Sequence, residues 1–305
     1  MALPRRLLPS ISLLTAFEAV CRTGSTLAAA RDLDLTQGAV SRLIQNLEAQ
    51  LGVQLFLREG RRLQPTDRAL AYARDVGKAL DLVSRGSMRL RSDTGGGTLA
   101  LAILPTFGTR WLAPRLPRFL SAHPGITINL GTRLRPFDFE EEGFDAAIHF
   151  GTENWHGAGA AKLFDERLVA TCAPDFLARN PVSSAADLLR LPLLQLETRP
   201  NAWARWLGAH GVGGTPPQGM LFDQFAPMIQ ATIHGLGVAL LPEFLAKPEL
   251  ADGRLVAAWG APVAGDGSYY LVWPRVGESY PPLQAFRAWL VAEAADPEGE
   301  DMLPR

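Results

Sequence analysis

Along residues 36–51 the apolar positions Val40, Ile44, Leu47 and Leu51 recur at intervals of four, three and four. That spacing makes one buried stripe of an α-helix. Thr36 is placed to cap its start and Gly52 to end it. Upstream, Leu13, Leu14, Phe17, Val20 and Cys21 share one face of an earlier helix, which begins near Ser10 and stops at Gly24. A short alanine-rich helix from Ser25 or Thr26 to Ala30 lies between them, and Leu33, Asp34 and Leu35 make the turn. A short helix, a tight turn and an amphipathic helix are the sequence form of a helix-turn-helix, whose second helix enters the DNA major groove.

The polar positions of that second helix agree with this expectation. Gln37, Ser41, Arg42 and Gln45 lie off the apolar stripe, with Thr36 and Gly38 at its start. Gln suits adenine, Arg suits guanine or phosphate, and Ser suits either; the open helix N-terminus favours a phosphate. Residues 55–57 then read as a strand, 58–61 as a turn and 62–63 as the start of a return strand. Arg58, Arg61 and Arg62 at this hairpin fit backbone or minor-groove contacts.

A longer periodicity follows. Ala69, Ala73, Val76, Leu80, Val83, Ser87 and Leu90 alternate in steps of four and three, a heptad seam within a helix of about residues 67–90. One helix cannot hide such a seam alone. A homodimer is the economical partner, because a two-fold dimer reads two half-sites of a near-palindromic operator. Residues 93–97, DTGGG, read as a flexible linker and the clearest domain boundary.

Beyond it the pattern changes to buried strands alternating with helices. Strands are expected at 99–104, 126–130, 146–150, 167–172, 193–196 and 268–273, a turn and strand at 235–242, and helices near 109–121, 185–191, 203–210, 227–234 and 281–294. Alternation of this kind builds parallel sheet with crossover helices.

Charge sharpens the division. The net charge of −1 over 305 residues looks wrong for a DNA binder. Residues 1–91, however, hold 14 Lys+Arg against 8 Asp+Glu, a net of +6, and the remainder holds 16 against 23. Attraction to phosphate is local, so the basic head is what matters. The two cysteines, Cys21 and Cys172, are far apart and without metal-type spacing, so neither a disulfide framework nor a zinc site is expected. No apolar run approaches the roughly 20 residues of a membrane span. Arg5 and Arg6 precede an apolar stretch broken by Pro9, Ser10 and Ser12, so a secretory leader is not expected and the cytoplasm is the default.

Three stretches carry a family resemblance: LLTAFEAV at 13–20, LTQGAVSRLIQNLEAQLGVQLF at 35–56, and the arginine wing before Thr66. They resemble the winged helix-turn-helix of LysR-type transcriptional regulators. The TQGAVSR form, with PTFGTRWLAPRL at 105–116, resembles the branch containing the regulators of glycine cleavage and of β-lactamase expression. The likeness runs to about residue 292. Two departures stand out: Thr26 replaces the usual aromatic residue, and PTDRA at 65–69 replaces the usual Leu-Thr-Glu-Ala-Gly lead into the long helix. The acidic tail, 293–305, lies outside the resemblance and reads as disordered.

The expected architecture is therefore multi-domain. An α-rich winged helix-turn-helix (1–65) and a linker or dimerisation helix (66–94) precede an α/β effector-binding domain (95–305). The resemblance implies that this last part is two-lobed and hinged, like periplasmic solute-binding proteins. Lobe I spans about 98–166 and 268–294, lobe II about 167–267, and 167–172 and 269–273 are the crossings. Ligands of such folds bind in the cleft, at strand C-terminal ends and helix N-termini.

Candidate effector residues follow from that placement. Thr106 and Phe107 follow the first strand, and Arg133 the second, where it could clamp an anion with Thr106. Gly151 follows the third strand; Asn201 and Trp203 follow a strand of the second lobe. Asp223 and Gln224 precede a helix and suit an ammonium or amide. Tyr269 and Tyr270 alternate along a crossing strand, so only one faces the cleft. The expected effector is a carboxylate or amino-acid-like small molecule.

No catalytic motif is present: the five histidines show no metal spacing, and no GxSxG, HExxH or P-loop occurs. The reading is a sequence-specific DNA-binding regulator needing no cofactor or metal and touching no membrane. It acts as a dimer or dimer of dimers, with RNA polymerase among its candidate partners. The alternatives are a solute-binding protein and an α/β enzyme with a DNA-binding-like head.

Overall fold

A computed structural model describes residues 8–59, 62–91, 96–214, 216, 217 and 219–295. The chain divides into two compact units, Met1–Arg91 and Ser92–Arg305. Arg5 and Arg6 and most of the expected glycine linker lie outside the described residues. So does the tail beyond Ala295.

The first unit contains helices α1 (Ile11–Thr23), α2 (Thr26–Asp32) and α3 (Gln37–Leu51), strands β1 (Phe56–Glu59) and β2 (Arg62–Pro65), and helix α4 (Asp67–Arg91). Local chemistry sets the breaks. Gly24 and Gly52 take left-handed conformations, φ 67° and 69°, and end α1 and α3. The Ser25 hydroxyl accepts from the N–H groups of Leu27 and Ala28, and the Thr36 hydroxyl accepts from Ala39. Ser10 holds the cap position of α1, but its side chain makes no capping bond.

Phe17, Val20, Val40, Ile44 and Leu47 are buried together with Leu55 and Phe56. Glu48 accepts from the N–H groups of Leu55 and Phe56, at 2.8 and 3.2 Å, and so ties the wing to α3. The first wing strand starts one residue later and ends two residues later than the sequence suggests, because Arg58 and Glu59, expected in the turn, pair with Leu63 and Arg62.

The heptad seam needs a correction. Ala69 and Val76 are buried in the first unit's own core, with Ala73 and Leu80 half-buried against it. Of the seam positions, Val83 is 49% exposed and Ser87 is exposed as well. The first half of the seam thus packs on its own domain.

The second unit opens with β3 (Gly97–Ile103), α5 (Pro105–Phe107), α6 (Leu116–Ala122), β4 (Ile126–Thr132), α7 (Phe139–Glu142), β5 (Ala146–Gly151) and β6 (Ala158–Cys172). It continues with α8 (Pro174–Arg179), β7 (Leu193–Leu196), α9 (Ala202–Ala209), β8 (Leu221–Phe222), α10 (Phe225–Ile233) and β9 (Val238–Pro242). It closes with α11 (Glu243–Ala251), β10 (Val256–Ala257), β11 (Val263–Pro274) and α12 (Pro281–Ala295).

The single helix expected at 109–121 is broken. A π-helical segment, Gly108–Leu112, continues α5, and Pro114 and Pro117 force a new start at α6. The helix expected at 185–191 is 3-10, Ala185–Arg190, and α8 and α11 were not anticipated. The last helix runs to Ala295, so Glu293 of the expected acidic tail is helical.

The sheet order among the described residues is β4-β3-β5-β11-β6-β9-β7-β8, with β10 also paired to β6. Parallel pairs β4/β3/β5 form the centre of one lobe and β9/β7/β8 that of the other. The long antiparallel strands β6 and β11 pass between them. The expected crossings at 167–172 and 269–273 are parts of these longer strands. Each lobe keeps its own core: Leu99, Leu101, Phe119, Phe286 and Leu290 in the first, Leu188, Trp203, Trp206 and Val238 in the second. Cys172 is buried on β6 and Cys21 is half-buried on α1; burial pushes both thiols up to about 11 and keeps them protonated.

Candidate functional site

In the first unit, α3 buries Val40, Ile44 and Leu47 and turns its other side outward. Thr36, Gln37, Gly38, Arg42 and Gln45 are exposed and Ser41 is half-exposed. Gln37 is not a free side chain: its Nε2 donates to the hydroxyl of Thr26 at 3.2 Å. The residue that departs from the family's aromatic pattern therefore touches the helix expected to read DNA. Arg61 lies outside the described residues, and Arg58 and Arg62 are described only as backbone positions of β1 and β2.

In the second unit, the loops between the lobes enclose a cleft of about 310 Å³. Lobe I contributes Thr106 and Phe107 after β3, Leu134 after β4, and His149, Phe150 and Gly151 at the end of β5. Lobe II contributes Thr198 and Arg199 after β7, and Asp223, Gln224 and Phe225 at the start of α10. Asp266 and Tyr269 come from β11.

The floor is aromatic. The Tyr269 ring lies 5.1–5.4 Å from those of Phe107, Phe150, Phe164 and Phe244. Burial, with Glu166 nearby, raises the Tyr269 phenol well above its usual range. Its hydroxyl is a neutral donor, and it donates to Glu166 at 3.0 Å.

Glu166, on β6, is also held by Arg199: Nη2 donates to Oε1 at 3.0 Å and Nε to Oε2 at 3.1 Å. The pair is buried, with side-chain exposures of 7% and 0%. The Arg199 guanidinium carbon sits 3.1 Å from the centroid of Phe150, and Nη1 donates to the carbonyl and hydroxyl of Thr198. Arg199 thereby joins lobe II, a crossing strand and lobe I. A second bridge is lighter: the Thr106 hydroxyl accepts from the N–H of Ala226, in the first turn of α10, at 3.1 Å. Burial first, and the Arg199 charge second, push His149 down to about 4, so its imidazole is neutral near pH 7.

Of the residues expected at an effector site, Thr106, Phe107, Gly151, Asp223, Gln224 and Tyr269 line the cleft. Arg133 does not. It turns along the edge strand to Glu142 of α7, donates to its own neighbour's carbonyl at Thr132, and lies over the Phe144 ring. Asn201 is exposed at the start of α9. Trp203 points into the lobe II core, where its indole N–H donates to Leu194 at 2.9 Å. Tyr270 faces the opposite side of β11 from Tyr269 and packs near Phe137 and Trp155. Sequence reasoning missed Glu166, Arg199, His149 and Asp266. Glu166 sits between Asp165 and Arg167, so nothing in the sequence set it apart from its charged neighbours.

A basic winged helix-turn-helix unit followed by a two-lobed α/β unit with an interlobe cleft defines the class: a one-chain regulator that joins DNA reading to ligand sensing. Residues 11–70 match the family described as "Bacterial regulatory helix-turn-helix protein, lysR family", and residues 92–295 match "LysR substrate binding domain". The chain belongs to the LysR family of DNA-binding transcriptional regulators, which are not enzymes.

It is 34% identical to the glycine cleavage system transcriptional activator of Escherichia coli K12, covering 94% of this chain and 95% of that one. It is likewise 34% identical to the transcriptional activator AmpR of Rhodobacter capsulatus, covering 94% and 98%. The crystal structure of the AmpR effector domain of Pseudomonas aeruginosa is similar at a TM-score of 0.61 and 34% identity, over 65% of this chain and 95% of that one. Full-length CbnR in complex with its target DNA has the same fold, at a TM-score of 0.66 and 20% identity, over 93% and 99%. No described helix is long and apolar enough to cross a membrane.

Proposed function

We propose that this regulator reads a near-palindromic operator as a homodimer or dimer of dimers in the cytoplasm, and that an amino-acid-like small molecule in the interlobe cleft sets its response. Thr36, Gln37, Gly38, Ser41, Arg42 and Gln45 on α3 make the major-groove contacts, and Arg58, Arg61 and Arg62 hold the flanking backbone. Thr106, Phe107, Gly151, Asp223, Gln224 and Tyr269 belong to the effector site. The domain limits are those expected from sequence, at 65/66 and 94/95. The exposed end of the α4 seam, with Val83, supports a second copy as partner. Relatives named as activators support RNA polymerase as a further partner.

The observation that carries this reading is the cleft itself, with polar groups from both lobes converging on an aromatic floor. A ligand favouring one lobe arrangement shifts the population toward it and so changes the spacing of the reading heads. Gel-shift titration of the full-length protein against its own upstream region is the test. Arg42→Ala should weaken binding by about 1–3 kcal/mol, the worth of a good base contact. Undiminished affinity in that variant overturns the assignment of α3. A thermal-shift screen of amino acids, with loss of the response in Thr106→Val, tests the cleft.

A further inference from the structure

The charge of the cleft differs from that expected of a site for a simple carboxylate. Arg133, the expected anion clamp, is engaged with Glu142 outside it. Arg199 lines the cleft, but all three nitrogens of its guanidinium already donate within the protein, to Glu166 and Thr198. A bidentate clamp on a ligand carboxylate needs two free, parallel N–H groups. Bordering arginines are also paired: Arg110 with Glu249, Arg135 with Glu197, and Arg167 with Glu243. His149 is held neutral.

Two lining carboxylates differ from this set. Asp223, before α10, and Asp266, on β11, have no hydrogen-bond or ion-pair partner among the described residues. They approach from lobe II and from the crossing strand. Between them the walls are largely apolar and aromatic: Leu104, Phe107, Leu134, Phe150, Phe225 and Tyr269. A site with two carboxylates that no described protein group pairs, set beside apolar walls, attracts cations and repels anions, and aromatic faces add to the attraction for an ammonium or guanidinium.

We propose that this cleft selects a ligand with a positively charged ammonium or guanidinium group on an apolar body, and that Asp223 and Asp266 are the specificity-determining counter-charges. This rests on the reading of the cleft as the effector site. It narrows "amino-acid-like" to ligands whose positive end is recognised, and it ranks amines and amino-acid amides or esters above free carboxylates of the same shape.

The test uses full-length protein and three probes of matched shape: 3-phenylpropan-1-amine, 3-phenylpropionate and 3-phenylpropan-1-ol. Melting temperature is followed against probe concentration, and affinity is then measured by calorimetry. The amine should stabilise the protein by mass action, and the other two should not. Asp223→Asn and Asp266→Asn should each weaken amine binding tenfold or more. Both side chains are exposed, so the fold should not suffer. Leu134→Trp, at a 38% exposed cleft position, should block binding sterically.

A stronger response to 3-phenylpropionate, abolished by Leu134→Trp, overturns the charge assignment and leaves the cleft as the ligand site. An amine response indifferent to all three substitutions overturns the cleft reading, and the proposal with it. No response to any of the three probes overturns the ligand class.

Discussion

Arg199 and Glu166 are 33 residues apart and meet as a buried, two-contact ion pair beneath the cleft. Such a pair is poor evidence of net stability, because desolvating both charges offsets most of their attraction. Breaking it is another matter. Glu166→Leu leaves a buried guanidinium with no counter-charge, so the second unit should lose about 3–5 kcal/mol. Urea unfolding followed by tryptophan fluorescence reports this, since Trp203 and Trp206 lie in the lobe II core. A loss under 1 kcal/mol would show that water or another group takes over the charge.

The second relationship lies in the first unit. Gln37 is tethered to Thr26. Gln37→Ala should reduce DNA affinity by about 1–3 kcal/mol if the amide meets a base. Thr26→Val removes only the tether and should cost less. The two changes should be non-additive, with Thr26→Val harmless in the Gln37→Ala background, because contacting residues couple. Simple additivity in a gel-shift double-mutant cycle would separate the tether from DNA reading.

Thr106 supplies the acceptor for the Ala226 N–H across the cleft. Thr106→Val keeps the shape and deletes that bond, so thermal stability should fall by about 1 kcal/mol, the net worth of one hydrogen bond. Unchanged stability would mean that solvent satisfies the Ala226 N–H equally well.

His149 predicts a pH response. Its folded value, about 4, lies below the ordinary 6.5, so the unfolded chain binds more protons between those limits. Stability therefore rises with pH across that window: the contribution is full above 6.5 and is lost as pH falls toward 4. Arg199, which lies close enough to lower the His149 value, reinforces the effect. Melting temperatures from pH 7 to 4.5 should drop less steeply for His149→Gln than for the parent chain. Parallel curves would place the acid sensitivity elsewhere.

How much was legible depended on how local the chemistry is. The α3 stripe, its Thr36 cap and the Gly52 stop involve neighbours in sequence, and each lies where the pattern put it. Tyr269 against Tyr270 was a strict alternation and could be left to the strand to decide. Arg133 failed because a side chain leaving an edge strand takes the nearest carboxylate, here Glu142, and no spacing rule encodes that choice. Trp203 failed because a large ring at a helix start serves a core as readily as a cleft. The seam of α4 was periodic but ambiguous: Ala69 and Val76 meet the helix's own domain, and periodicity alone cannot say which surface a stripe meets.

The pairing of β6 with β11 shifts register twice, and the first shift bears on signalling. Ala264 lies opposite Arg167 and Ser268 opposite Asp165, so Gly265, Asp266 and Gly267 face the single residue Glu166. Such a bulge re-aims the side chain at its centre, and the glycines on both sides admit close neighbours: a Cβ at Gly265 would meet Glu166, and one at Gly267 would meet Phe150 and the Gly151 carbonyl. Asp266 is at once a wall of the cleft and the middle of that bulge. A molecule bound there would press on the joint directly, and the first sign of occupancy would be altered amide hydrogen exchange at 265–267. The joint shared by both lobes would then register the effector directly, through the same residue that lines the cleft.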